Sequence, residues 1–154
     1  MSRAFVKEGD GAEAEPLAEL QVSPHRNLVT AAGLAQIQAH VERLRADLTG
    51  ARAAEDRSAI LRIQRDLRYW SERQRTAEPV PAPAPGGPVR FGSSVILESA
   101  DGSQNTYRIV GEDEADPAQG RISYVSPLAT RLIGGRVDDE VELPDGVGVI
   151  VEIR

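Results

Sequence analysis

The chain has 154 residues, of which 40% are hydrophobic and 27% charged, and its formal net charge is −6 at pH 7. This acidic balance argues against a protein that holds nucleic acid through a broad basic face. The absence of cysteine excludes disulfides, thiolate metal sites and cysteine nucleophiles. No apolar run approaches the roughly 20 residues that cross a bilayer, and the first residues lack the layout of a signal peptide. We therefore expect a cytoplasmic protein without membrane contact.

Charge and composition change along the chain and divide it into parts. Residues 31–77 carry nine Arg against six acidic residues, whereas residues 88–154 carry six Arg against twelve. Such a change in sign predicts separate surfaces with separate partners. The predicted organisation is a flexible arm over residues 1–26, a coiled-coil hairpin over 27–77, a Pro-rich linker over 78–88 and a C-terminal domain over 89–154.

The hairpin is predicted from two apolar seams with coiled-coil spacing. The first seam begins after Thr30, a candidate N-cap, and the second ends at Trp70. Paired antiparallel, they predict an apex at Thr49–Ala54, with Gly50 as the turn and Arg52 at the tip. Each helix would have about 18 to 20 residues. The predicted layers are Leu34 with Trp70, Ile37 with Leu67, Val41 with Ile63 and Leu44 with Ile60.

Acidic side chains near the apex are the only candidates for chemistry in this hairpin. Glu55 and Asp56 follow the predicted turn, and Asp47 precedes it. Carboxylates at the end of a finger could help to hold a divalent metal. The structural alternative is that Asp56 caps the second helix and both acids favour the positive end of its dipole.

The C-terminal domain is predicted to be a small antiparallel sheet with one short helix, which makes the chain an α+β protein. The turn signals are Asp101-Gly102 and Asp145-Gly146. The helix should begin at Ser126-Pro127 and stop at Gly134 or Gly135. The acidic residues between 112 and 116 do not follow the calcium-loop pattern and are interpreted as a solvated loop.

Several ordered stretches resemble the GreA/GreB family of bacterial transcription elongation factors. In the hairpin, the resemblance rests on RNLVTAAGLAQIQAHVERL, with its Thr and following Gly. In the C-terminal domain the similar stretches are Ile109-Val110-Gly111, Asp113-Glu114-Ala115-Asp116, Gly120 to Ser123, Ser126-Pro127-Leu128-Ala129 and Leu132-Ile133-Gly134.

The resemblance implies an FKBP-like C-terminal fold and a partner, RNA polymerase. Gre factors insert the hairpin into the secondary channel of the polymerase, where acidic tip residues complete a metal site for RNA cleavage. The C-terminal domain grips the channel rim, which by motif implies a contact through the segment from Ile122 to Leu132. The implied contact residues are Ile122, Ser123, Ser126, Pro127, Ala129, Thr130, Arg131 and Leu132.

The tip of Gre hairpins carries a Glu-Asn-Ala run, which this chain lacks. Both helices of the hairpin are also expected to be shorter than those of the family by a couple of turns. We therefore favour a non-enzymatic regulator that occupies the channel and meets nucleic acid only indirectly, through the elongation complex. It would have no small-molecule substrate and no cofactor of its own. The alternative is a true cleavage factor in which Glu55 and Asp56 help a magnesium ion shared with the polymerase. A third possibility is an FKBP-like peptide-binding module.

Overall fold

The structure is a computed structural model that describes residues 16–154. Residues 1–15 of the predicted arm lie outside the described residues. Residues 16–26 have no helix or strand and lie on the surface. They contact the rest of the chain, since Glu19 pairs with Arg68 and Ser23 donates a hydrogen bond to Glu112.

Two antiparallel helices form the predicted hairpin. Helix α1 spans Ala31–Ala53 and helix α2 spans Arg57–Thr76. Thr30 caps α1 as predicted, because its side chain accepts a hydrogen bond from the backbone N–H of Gly33. The α+β class is thus confirmed in its helical part.

The predicted apex was wrong, because α1 does not stop at Gly50. The helix runs on through Ala51 to Ala53, all exposed or half-buried positions filled by good helix formers. The turn is made instead by residues 54–56, with Glu55 in the left-handed region at φ 55°. This shift also changes the layers of the seam. The Trp70 ring stacks on His40, with centroids 4.4 Å apart, rather than facing Leu34.

A two-residue ladder closes the base of the hairpin. Strand β1 (Leu28–Val29) pairs in parallel with strand β2 (Glu78–Pro79), which lies at the start of the predicted linker. The remaining Pro-rich residues, up to 88, have no helix or strand. The chain therefore enters and leaves the hairpin at one fixed place.

The C-terminal domain is a five-stranded sheet with the order β5-β4-β3-β7-β6. Its strands are β3 (Ser94–Ser99), β4 (Gln104–Val110), β5 (Arg121–Ser123), β6 (Glu140–Leu143) and β7 (Gly146–Ile153). The prediction of a wholly antiparallel sheet was wrong, because β5 runs parallel to β4. Two short 3-10 turns over residues 112–119 provide the crossover that a parallel neighbour requires.

Helix α3 (Pro127–Leu132) packs on this sheet and completes the core. Ser126 caps it by accepting from the N–H of Ala129, and Gly134 follows with φ 89°, as predicted for a helix stop. Within residues 16–154, no helix has both the length and the apolar content of a membrane span.

Candidate functional site

The hairpin tip brings together two of the three predicted acids. Glu55 and Asp56 are adjacent and exposed in the turn, while Asp47 lies on α1 about 12 Å further down the hairpin by helical rise. Asp56 is the N-cap of α2, and its Oδ1 accepts a hydrogen bond of 2.9 Å from the N–H of Ala59. The structural interpretation of Asp56 is therefore confirmed. Of the two acids in the turn, only Glu55 presents its carboxylate without a cap contact.

No ready-made metal site is formed by these side chains. In the part of the chain that the structure describes, no three His, Asp or Glu side chains are grouped as metal ligands. The two oxygens of Glu55 and the second oxygen of Asp56 could offer at most three oxygen ligands. A hard divalent cation takes about six oxygen ligands, so any ion at the tip would need most of its ligands from a partner.

A groove of about 400 Å³ lies between α3 and the sheet. It is the second place where predicted site residues meet. Its wall combines apolar side chains such as Tyr107 and Leu128 with the polar residues Ser126 and Arg131. Such a concave, mostly apolar surface with a few polar groups is typical of a binding site.

The predicted contact residues divide by burial. Pro127, Thr130 and Arg131 are exposed, and Ser123 and Ser126 are half-buried. Ala129 and Leu132 are fully buried in the core, and Ile122 is buried beneath the groove. Fully buried side chains cannot touch a partner directly, so Ala129 and Leu132 hold α3 in place. Of the predicted contact residues, those on the exposed side of α3 remain accessible to a partner.

A buried carboxylate joins the hairpin to the C-terminal domain. Glu114 accepts hydrogen bonds from the backbone N–H groups of Thr30 and Gly111, each 3.1 Å long, and from the Thr30 hydroxyl. The first turn of α1 comes so close that a Cβ on Gly33 would lie 2.1 Å from the Glu114 carboxyl carbon. Gly33 is therefore the glycine that lets the acid reach the helix cap.

A second polar contact lies beside the first. Arg73 of α2 is 1% exposed, and its Nε donates to Asp113 Oδ2 at 2.5 Å. Its Nη2 lies 3.6 Å from Glu112 Oε2. The Tyr69 hydroxyl donates to the other oxygen of Asp113 at 2.7 Å. Arg73 and Tyr69 thus bind the start of the acidic turn, Glu112 and Asp113, to the base of the hairpin.

The interpretation of residues 112–116 as a solvated loop was wrong, because three of these acids form the junction just described. The sequence contained a signal for it. Arg73 follows Trp70 by three residues, so it continues the apolar seam of α2. A charged residue in a seam position predicts a buried ionic partner elsewhere in the chain.

Titration of Tyr69 gives a test of this junction. Burial, together with its hydrogen bond to Asp113, raises the pKa of Tyr69 from an ordinary 10.0 to about 12. Since the folded-state pKa is the higher one, the stabilisation from this neutral phenol is complete below pH 10.0 and is lost as the pH rises through about 12. Burial also raises the pKa of Tyr124, so phenolate difference spectra should show more than one late-titrating tyrosine, and Tyr69→Phe should remove the one that titrates near 12. A wild-type chain with no late titration would contradict the contact.

Comparison with known proteins agrees with these features. A family model described as "Transcription elongation factor, GreA/GreB, C-term" matches residues 84–154, which include the whole sheet and α3. Residues 84–154 are therefore similar to the C-terminal domain of GreA/GreB transcription elongation factors. Within the Gre-type domain, the motifs that carry the likeness now have physical roles. Glu114 caps the hairpin, and Ser126-Pro127 begins α3.

Individual relatives cover the chain only in part. Transcription elongation factor GreB of Haemophilus ducreyi is 42% identical over 90 residues, which are 58% of this chain and 56% of that protein. Transcription elongation factor GreA of Legionella pneumophila is 55% identical over 64 residues, 40% of each chain. The chain thus matches 56% of the length of this GreB and 40% of the length of this GreA. The crystal structure of GreA factor homolog 1 of Thermus thermophilus covers 84% of this chain and 99% of its own, with 21% identity and a TM-score of 0.41.

Proposed function

We propose that this chain is an accessory transcription elongation factor. It binds RNA polymerase at the secondary channel and regulates elongation by occupying the channel with its hairpin. The Gre-type C-terminal domain is the observation that carries this proposal, since residues 84–154 match the family and present an exposed α3 beside a groove. The GreA and GreB relatives are transcription elongation factors, which supports the same class of function.

Occupancy is favoured over transcript cleavage by the chemistry of the tip. Asp56 is engaged as a helix cap, Asp47 lies down the hairpin, and Glu55 alone is uncommitted. Metal-assisted phosphodiester cleavage requires carboxylates placed to a fraction of an ångström around ions about 4 Å apart. One free carboxylate in a left-handed turn is a weak basis for such placement.

RNA cleavage in a stalled, backtracked elongation complex tests the two mechanisms. The informative variant is Glu55→Asn with Asp56→Ser, because asparagine tolerates the left-handed φ and serine keeps the helix cap while both carboxylates are removed. We expect the wild-type chain to stimulate no cleavage and to inhibit a GreB-type factor added to the same complex. The double variant should inhibit equally, and Asp47→Asn serves as a control on the same hairpin.

The opposite result would support the alternative function. Stimulated cleavage that disappears in the double variant would assign Glu55 and Asp56 to a magnesium ion shared with the polymerase. A chain that neither stimulates nor inhibits, and that fails to retain polymerase, would favour a peptide-binding role for the groove beside α3.

The exposed side of α3 gives a separate prediction for polymerase binding. Arg131 is exposed on α3 at the edge of the groove. Arg131→Glu is expected to weaken retention of polymerase about three- to tenfold, because reversing a charge at the rim of an interface costs about 1 kcal/mol. Arg136→Glu, an equally exposed reversal beyond α3, is the matched control. Equal effects of the two changes would contradict a contact centred on α3.

A further inference from the structure

The sheet of the C-terminal domain has an outer face, opposite the core that α3 completes. Ile150 of β7 is fully buried in that core, so its neighbour Val149 points to the outer face. Cross-strand pairing places Val149 directly between Glu140 of β6 and Glu98 of β3. These three side chains therefore form one row of acid, valine and acid. Val147, two residues away on β7, lies on the same face and is 47% exposed.

This outer face is negatively charged. Glu142 lies opposite Val147 and adds a third acid to it. Among residues 16–154, none of these three glutamates has an ion-pair partner. Gln104 donates a hydrogen bond to Glu98 but carries no charge. A surface of this kind fits a partner that presents cations around an apolar residue.

The hairpin carries the complementary pattern on one flank, along an open groove of about 620 Å³. Leu48 of α1 lies in the groove wall beside Arg52. Arg45 precedes Arg52 by about two helical turns, so both lie on the same side of α1, with Leu48 between them. Both arginines are exposed and have no ion-pair partner in the part of the chain that the structure describes. Arg68 and Arg75 also line the groove, but each pairs with an acid of its own chain.

The two patterns match in spacing as well as in charge. Glu140 and Glu98 lie on strands either side of β7, two strand spacings or about 10 Å apart. Arg45 and Arg52 are also about 10 Å apart by helical rise. Both ion pairs can therefore form at once, with the valine of the sheet row over the leucine of the hairpin flank.

We propose that two copies of this chain form a two-fold dimer, in which the outer sheet face of each copy docks on the arginine flank of the other copy's hairpin. A second copy is needed because Arg52 lies in the last turn of α1, at the tip, whereas the hairpin joins the domain at its base. Two-fold symmetry makes the contact twice, so two modest surfaces act together. This contact goes beyond the proposed function and does not depend on it.

Sedimentation velocity of the full chain tests the proposal. We expect a concentration-dependent dimer at low salt that dissociates as salt is added. The reason is screening, since the Debye length falls from about 30 Å at 0.01 M salt to about 3 Å at 1 M. A chain that stays monomeric at low salt would leave the acidic face to a different basic partner and would overturn the proposal. Assemblies larger than a dimer would overturn the closed two-fold arrangement.

Charge reversals on the two surfaces identify the contact. Glu98→Arg with Glu140→Arg should weaken dimerisation by about tenfold or more, because each reversed charge is repelled in both copies of the contact. Arg45→Glu with Arg52→Glu should weaken it to a similar extent. Circular dichroism checks that each variant keeps the fold. A dimer that survives either reversal would overturn the proposal.

A mixture of the two reversed chains separates loss of the contact from loss of the fold. In a mixed two-fold dimer, both contacts again join opposite charges, so the mixture should dimerise although each chain alone does not. Arg43→Glu with Arg62→Glu is the matched control on the hairpin, because both residues are exposed and neither lines the groove. This control should dimerise like the wild type. A mixture that stays monomeric, or a control that loses the dimer, would contradict the proposed pairing.

Discussion

Replacing Arg73 with alanine is expected to lower the free energy of unfolding by about 3–5 kcal/mol. The side chain of Arg73 is 2% exposed and that of Asp113 9%, so the loss of the guanidinium leaves a buried carboxylate without its cation. It also removes the cation that faces Glu112. Urea unfolding followed by circular dichroism measures the change, provided that the slope of the transition is unaltered.

Arg75→Ala is the matched control for this prediction. Arg75 lies on the same helix and pairs with Glu72, but its side chain is 71% exposed, and such pairs contribute well under about 1 kcal/mol. A variant with Arg73→Met and Asp113→Leu should recover part of the loss, since apolar replacement of a buried pair is often neutral. If Arg73→Ala proves no more costly than Arg75→Ala, the hairpin is not held by a buried ionic contact.

Gly33→Ala is expected to destabilise the chain by about 1–3 kcal/mol or more, although alanine is the better helix former. The added methyl group would lie 2.1 Å from the Glu114 carboxyl carbon, which is itself fixed by Thr30 and Gly111. Either the carboxylate leaves the helix cap or the hairpin shifts from the domain. Thermal or urea unfolding reports the loss.

Gly50→Ala provides the control in the same helix. Nothing lies within 4 Å of a Cβ at Gly50, so this change should stabilise the chain by about 0.5–1 kcal/mol through helix propensity. The two substitutions are chemically identical and should have opposite signs. A second check is the double variant Gly33→Ala with Glu114→Ala, whose effects should be strongly non-additive because the two side chains meet. Additive effects would place the clash elsewhere.

Local patterns in the sequence predicted most of the elements. Thr30 and Ser126 cap helices where Ser/Thr caps are expected, and the Asp-Gly turns join the strands that they were expected to join. These features depend on neighbours along the chain, so a single sequence contains enough information to predict them. The confirmed α+β class follows from the same local signals.

Features that depend on distant residues were predicted poorly. Seam spacing alone fits several antiparallel registers, and the turn at Glu55 carries no glycine to mark it. The parallel pairing of β5 with β4 is decided by the crossover through two 3-10 turns. The acids of the junction appeared solvated because their partners, Tyr69 and Arg73, lie some forty residues away. The role of Glu55 and Asp56 at the tip stays a prediction, and their spacing from Asp47 became clear only with the true apex.

The two-residue ladder lies at the base of a long hairpin, so a small change in angle there displaces the tip by a larger distance. Helix α1, with its 23 residues, is about 35 Å long. By simple geometry, a rotation of about 5° at Leu28–Val29 would swing Glu55 through roughly 3 Å, several times the tolerance of a well-placed functional group. The position of the tip therefore depends on the geometry at the opposite end of the hairpin. Substitutions near Glu78 or Glu114 can therefore change the position of the hairpin tip without altering any residue of the tip itself.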